Sequence, residues 1–239
     1  MRDTDADWTR IGSVDPYFGV ITHDRFRRER MTDEDRADFF ESGTSDVAFV
    51  LEHVLPREMN KALDFGCGVG RLSLALASKF GNVVGVDISQ SMLKEARRNA
   101  ALINTSNVLF VDKIPDDTFD LVLSYVVFQH IPPERGLLLL QQVLCKVKDQ
   151  GAAAIQITFY SKKPSSKFKK FRRWIKSYLP RREKIGDDAG KMISMFPYNM
   201  NSVVKAFFDS GFTNIKLIET DHGVIGAWIF GIKNQTALN

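Results

Sequence analysis

Leu63-Asp64-Phe65-Gly66-Cys67-Gly68-Val69-Gly70 is the stretch on which the reading of this chain turns. The apolar run Lys61–Phe65 has strand length and stops at three alternating glycines, after which Leu72, Ala75 and Leu76 recur at helical spacing. Strand, glycine turn and helix in that order form a cradle for a charged or polar ligand. Glycines let the backbone approach closely, and the first N–H groups of a helix are unpaired donors. The spacing narrows the ligand: a dinucleotide fingerprint needs Gly-x-Gly-x-x-Gly, and Arg71 stands where its third glycine belongs. A phosphate loop ending in Gly-Lys-Ser/Thr is absent as well.

Outward from the loop, strand-length apolar runs alternate with helical patterns. Asn82–Ile88 is β-branched and short, and a helix is predicted from Gln90 to Leu102. Asn107–Val111 and Phe119–Val126 read as strands joined through the turn Pro115-Asp116-Asp117. Pro132-Pro133-Glu134 opens a helix to about Lys148, since proline fits a first turn whose N–H groups are unpaired anyway. A strand Ala152–Phe159, a helix Asn201–Ser210 and two strands, Ile215–Glu219 and Val224–Ile232, complete the pattern. It predicts an α/β, Rossmann-like, seven-stranded, mostly parallel sheet with helices on both faces and a C-terminal antiparallel hairpin strand. Upstream, Val47, Val50, Leu51 and Val54 place an amphipathic helix over Thr44–Leu55. Trp8, Tyr17, Phe18, Phe26, Phe39 and Phe40 make residues 1–43 too aromatic for a disordered tail, so they are expected as a docked extension or lid. Residues 44–239 then form the main domain, with a basic helical insertion at about 161–196.

With 239 residues, 44% hydrophobic and 26% charged, the chain is long enough to bury a core without crosslinks. Its two cysteines, Cys67 and Cys145, form no Cys-x-x-Cys pair, which points to a reducing compartment and no metal. The polar start and the lack of a long apolar run predict a cytoplasmic protein, with peripheral membrane contact as a second reading. The net charge of +4 is unevenly placed. Residues 161–186 hold eleven Lys or Arg against one Glu, so the remainder is net acidic.

The motif around the loop resembles that of class I S-adenosylmethionine-dependent methyltransferases, in which an acidic residue precedes alternating glycines. The resemblance implies that Asp64, Gly66, Cys67, Gly68 and Gly70 hold the methionine part of that cofactor, Asp64 facing its ammonium. A second match, Val84-Gly85-Val86-Asp87-Ile88-Ser89, implies Asp87 as the ribose ligand, with Ile88 and Met92 lining the adenine. A third runs from Phe119-Asp120-Leu121-Val122 to Ser124-Tyr125-Val126-Val127-Phe128-Gln129-His130-Ile131 and resembles the strand and loop that flank the transferable methyl; Ser124 is counted with the cofactor site. The segment before Phe119 is shorter than the family's, and Asp112 is the nearest candidate for the adenine amine. S-adenosylhomocysteine would be the product, and no metal is expected.

Methyl transfer from a sulfonium is an in-line displacement, so alignment carries most of the catalysis. A hydroxyl nucleophile also needs a base, and His130, following the fourth strand, is the candidate because an unperturbed imidazole titrates near neutrality. Tyr125 and Gln129 are expected to orient substrate, with Tyr17 and His222 as further contacts. The expected acceptor is a small polar molecule methylated on O or N, such as a sugar in glycan or natural-product synthesis. In the stretch 162–184, Phe168, Phe171, Ile175 and Tyr178 share one helical face and cations fill the other. That pattern fits a substrate lid, an anionic membrane surface or a lipid-linked substrate. Nucleic acid ranks below these because no RNA-binding module is present. An RNA or lipid methyltransferase, or a non-catalytic cofactor-binding protein, are the alternatives; the oligomeric state is left open.

Overall fold

A computed structural model describes residues 4–160, 194–221 and 224–235. The basic stretch 162–184 and His222 lie outside the described residues. The elements are α1 (Thr4–Val14), α2 (Pro16–Val20), α3 (Asp33–His53), β1 (Lys61–Phe65), α4 (Arg71–Ala77), β2 (Asn82–Val86), α5 (Gln90–Leu102), β3 (Val108–Val111), β4 (Phe119–Ser124), α6 (Pro133–Cys145), β5 (Val147–Tyr160), α7 (Met200–Asp209), β6 (Ile215–Asp221) and β7 (Ile225–Ile232). A single 3-10 turn, Phe128–His130, follows β4.

The seven strands lie in the order β3-β2-β1-β4-β5-β7-β6. The first five are parallel, and β7 runs antiparallel to both β5 and β6. The chain reverses direction across the sheet between β1 and β4, which opens a crevice beyond their carboxyl ends, where ligands bind in such sheets. Asp64 and Leu123 are partners in that central pair.

Two apolar layers hold the sheet. On one face Val47 and Val50 of α3 and Leu72 and Leu76 of α4 pack on Ala62, Leu121, Leu123 and Phe230. On the other, Leu140, Val143 and Leu144 of α6 and Phe207 of α7 pack on Leu63, Val122 and Ile155. Full burial of each Leu, Val or Phe contributes about 1.5–3 kcal/mol. A third layer joins Ile11, Tyr17, Phe26 and Phe39 to Val69 and Met92, so the aromatic extension is docked.

Two element starts differ most from the sequence expectation. Helix α3 begins at Asp33, not Thr44, because Thr32 and Asp35 form a reciprocal capping box ahead of a polar first half. The helix therefore runs unbroken across the expected 43/44 division. Strand β5 begins at Val147, five residues early, and passes through the turn-like Asp149-Gln150-Gly151 by placing Gln150 at φ 63°. Its pairing with β4 carries an irregularity between Phe119 and Leu121.

Candidate functional site

Gly66, Gly68 and Gly70 adopt φ of 82°, 54° and 88°, the left-handed region that a side chain resists. The turn is pinned to β2, whose Val86 carbonyl accepts from the N–H groups of Gly66 (2.7 Å) and Cys67 (2.9 Å). Asp87, one residue past β2, accepts from Gly68 N–H and Ser89 N–H, each at 2.9 Å. The loop and the acid thus hold one another in place. Burial raises the Asp87 carboxyl above its usual range against the pull of those two N–H groups. The same burial pushes the Cys67 thiol up, which keeps it unreactive.

Asp64, next to last in β1, is almost wholly buried, and Ser73 donates to its Oδ2 at 2.6 Å. Desolvation lifts its carboxyl to about 6, opposed by the Ser73 hydroxyl and the charge of Arg71. Ser73 reaches this position because Gly85 lacks a side chain: a Cβ there would stand 2.8 Å from the Ser73 hydroxyl. Ile88 is 48% exposed beside Asp87, an apolar surface at the crevice. Asp112 follows β3 at the same edge and accepts from Gln90 Nε2 at 2.9 Å.

After β4 the backbone makes an unusual turn. Val126 has φ 59°, a strained conformation for a β-branched residue. It seats Val127 directly on Gly66 and precedes the 3-10 turn. Ser124 is fully buried and its hydroxyl donates to Phe65 C=O at 3.0 Å, joining β4 to β1. Tyr125 stacks on Trp228 at 4.7 Å, and burial lifts its phenol to about 12.

His130 and Gln129 belong to one directed chain of hydrogen bonds. Thr158 donates to Gln129 Oε1 at 2.7 Å, Gln129 Nε2 donates to His130 Nε2 at 3.1 Å, and His130 Nδ1 donates to Ser194 C=O at 2.9 Å. Desolvation lowers the imidazole to about 4, so it is neutral at pH 7 with both nitrogens engaged. As a general base it would first have to give up the bond from Gln129. Trp8 of α1 packs edge-on against the same ring at 4.9 Å.

Met92 and Tyr17 are both packed inside. Met92 is 2% exposed inside the layer formed with the extension, so extension side chains cover the face expected to meet adenine. Tyr17 is buried too; its hydroxyl lies 2.8 Å from Glu95 Oε1 and from Asn99 Oδ1 and accepts from Arg36, which fastens α2 to α5. Val20, at the end of α2, rests on Gly68. The extension therefore covers part of the loop. Sequence reasoning missed Ser73, Thr158 and Arg71, because no local pattern announces a partner dozens of residues away or on another element. Among the described residues no group of three or more His, Cys, Asp or Glu is placed to hold a metal, and no helix is long and apolar enough to cross a membrane.

Comparison with known proteins agrees with this geometry. Residues 62–151 match the family model described as Methyltransferase domain. The chain is 40% identical over 65 residues to the 23S rRNA (uracil(1939)-C(5))-methyltransferase of Marinomonas posidonica, covering 27% of this chain and 15% of that protein. It is 26% identical over 129 residues to the trans-aconitate 2-methyltransferase of Rhizobium rhizogenes, covering 53% of this chain and 50% of that one. It thus spans half or less of either relative. The fold is shared with magnesium protoporphyrin IX methyltransferase from Synechocystis, solved with bound SAM, at TM-score 0.59 and 19% identity over 98% of this chain and 99% of that one. Residues 62–151 are therefore similar to the family described as Methyltransferase domain, and the chain shares the fold of the magnesium protoporphyrin IX methyltransferase.

Proposed function

We propose that this protein transfers a methyl group from S-adenosylmethionine to an oxygen or nitrogen of a small polar acceptor. One observation carries the reading: a buried acid, Asp64, and a half-buried one, Asp87, flank a left-handed glycine loop at the carboxyl ends of β1 and β2. The site residues suit this cofactor's chemistry. Asp64 offers a carboxylate to its ammonium, Asp87 to its ribose hydroxyls, Ile88 an apolar surface to its adenine, and Asp112 an acceptor to the adenine amine. The bound cofactor supplies an electrophilic sulfonium methyl. The protein's work is then to orient the acceptor and exclude water, through Tyr125, Gln129 and the covering extension.

The engaged imidazole sharpens the acceptor class. With His130 neutral and bonded at both nitrogens, the favoured nucleophile brings its own lone pair: a carboxylate, a phenolate or an amine. The names of two relatives, trans-aconitate 2-methyltransferase and ubiquinone biosynthesis O-methyltransferase, support small oxygen acceptors. The match to the rRNA enzyme covers a shorter part of the chain and gives the RNA reading less support. A screen with labelled S-adenosylmethionine tests the proposal, using panels of carboxylates, phenols, amines, aliphatic alcohols including sugars, and RNA. Turnover confined to RNA, or none with calorimetrically silent S-adenosylhomocysteine, would overturn it.

A further inference from the structure

A cavity of about 160 Å3 lies between the extension and α5, and Tyr17, Arg28, Arg36, Glu95 and Arg98 are among the residues that line it. That is more than ten times the roughly 10–15 Å3 that one water needs. Three guanidiniums against one carboxylate leave two positive charges in excess. The carboxylate is committed: Glu95 Oε1 lies 2.8 Å from the Tyr17 hydroxyl and 3.7 Å from Arg98 Nη1. Arg36 is fixed over the Tyr17 ring, 4.7 Å from its centroid, and among the described residues its hydrogen bonds all leave from Nη1, to Tyr17 and Asn99. Arg28 is the decisive member. Of the four arginines in residues 25–30, Arg25 pairs with Asp38, Arg27 with Asp15 and Asp24, and Arg30 with Asp24. Among the described residues the Arg28 side chain has no carboxylate partner, although its backbone N–H donates to Asp15 Oδ1 at 2.9 Å and so fixes where the residue stands. The arginine of this run without a counter-ion is the one that lines the cavity.

An excess of guanidinium in a small concave site calls for an anion with several acceptor oxygens. We propose that Arg28, Arg36 and Arg98 bind a phosphate group, free or as the monoester of a small metabolite, and that the bound group clamps the extension onto α5. Phosphate fits better than a carboxylate. It carries about −1.5 to −2 charge at pH 7, which matches the excess, and its three outer oxygens each accept from a planar guanidinium fork. The cavity shares no residue with the glycine loop, so the inference stands apart from the cofactor reading.

Thermal unfolding of the full chain tests this, with millimolar inorganic phosphate and glycerol 3-phosphate each set against sodium chloride of equal ionic strength. Phosphate is expected to raise Tm by about 2–4 °C beyond chloride. Arg28→Ala and Arg98→Gln should each remove most of that gain, and the exposed Arg28 side chain can be cut back without loss of the fold. Phosphate also stabilises proteins in general by exclusion from their surface, and that part persists in the variants. No gain with either ligand, or equal gains in the wild type and both variants, therefore overturns the inference. A gain with both ligands assigns the site to phosphate monoesters, and a gain with inorganic phosphate alone assigns it to the free ion. Bound phosphate should also slow limited proteolysis within residues 4–31 in the wild type and not in Arg28→Ala. A thermal gain that depends on Arg28 without that protection overturns the clamp.

Discussion

Asp64 is a carboxylate sealed in the sheet with Ser73 as its hydroxyl donor, and its elevated pKa comes from desolvation that this bond and the charge of Arg71 offset only in part. A ligand ammonium binds the ionised form, so affinity must depend on pH in a defined sense. Affinity for S-adenosylhomocysteine is expected to rise about tenfold per unit up to about pH 6 and then level, whereas Asp64→Asn binds weakly with no such slope. Calorimetry from pH 4.5 to 7.5 checks this. Val126 stores strain nearby: glycine there relieves about 1–3 kcal/mol and gives back about 0.5–1 kcal/mol in backbone entropy. Val126→Gly should therefore unfold at higher denaturant while binding S-adenosylhomocysteine more weakly, as Val127 loses its fixed seat on Gly66. At this scale the positions of Asp64 and Asp87 beside the glycine loop were legible because each lies at the carboxyl end of an apolar or β-branched strand. The burial of Met92 and Tyr17 against the extension was not legible, since helical spacing says that a side chain is inward and not which element covers it.

At the scale of elements, strands β1 and β2 and helix α5 stood out because their periodicities are unmixed. The start of α3 did not, since its first half is polar and only the Thr32–Asp35 box fixes it. The hairpin of β6 and β7 was legible as adjacency; that β7 and not β6 lies against β5 depends on long-range pairing. The docking of α1 on α5 was equally hidden, and it rests on one small residue. A Cβ on Gly12 would stand 2.5 Å from Ser89 Oγ and 2.8 Å from Met92 Cγ. Gly12→Val is expected to overpack this contact by about 1–3 kcal/mol and detach α1. Limited proteolysis should then cut within residues 4–31 while the sheet core resists, and Trp8 fluorescence should shift as the indole leaves His130. Unchanged cleavage would mean that the extension is held elsewhere.

The whole molecule brings two buried titrating groups of opposite character to one edge of one sheet, Asp64 at β1 and His130 beyond β4. Asp64 titrates near 6 when folded against 3.8 in its ordinary state, so the folded form holds the extra proton between those values. Its contribution is present at low pH and is lost as pH rises toward 6, about 3 kcal/mol in all. His130 titrates near 4 against 6.5, so here the unfolded form holds the extra proton. Its contribution is present above 6.5 and is lost as pH falls toward 4, again about 3 kcal/mol. In the ligand-free protein the two slopes nearly cancel over this window, with Asp87, also raised, adding in the sense of Asp64. Removing either group should expose the other. Relative to the wild type, Asp64→Asn is expected to lose stability on acidification from pH 6.5 to 4, and His130→Gln to gain it. Urea unfolding at pH 4.5, 5.5 and 6.5 measures both slopes, and the double variant should keep only the contribution of Asp87, in the sense of Asp64. Same-signed slopes in the two single variants would mean that one of these groups is not buried in the charge state the fold assigns to it.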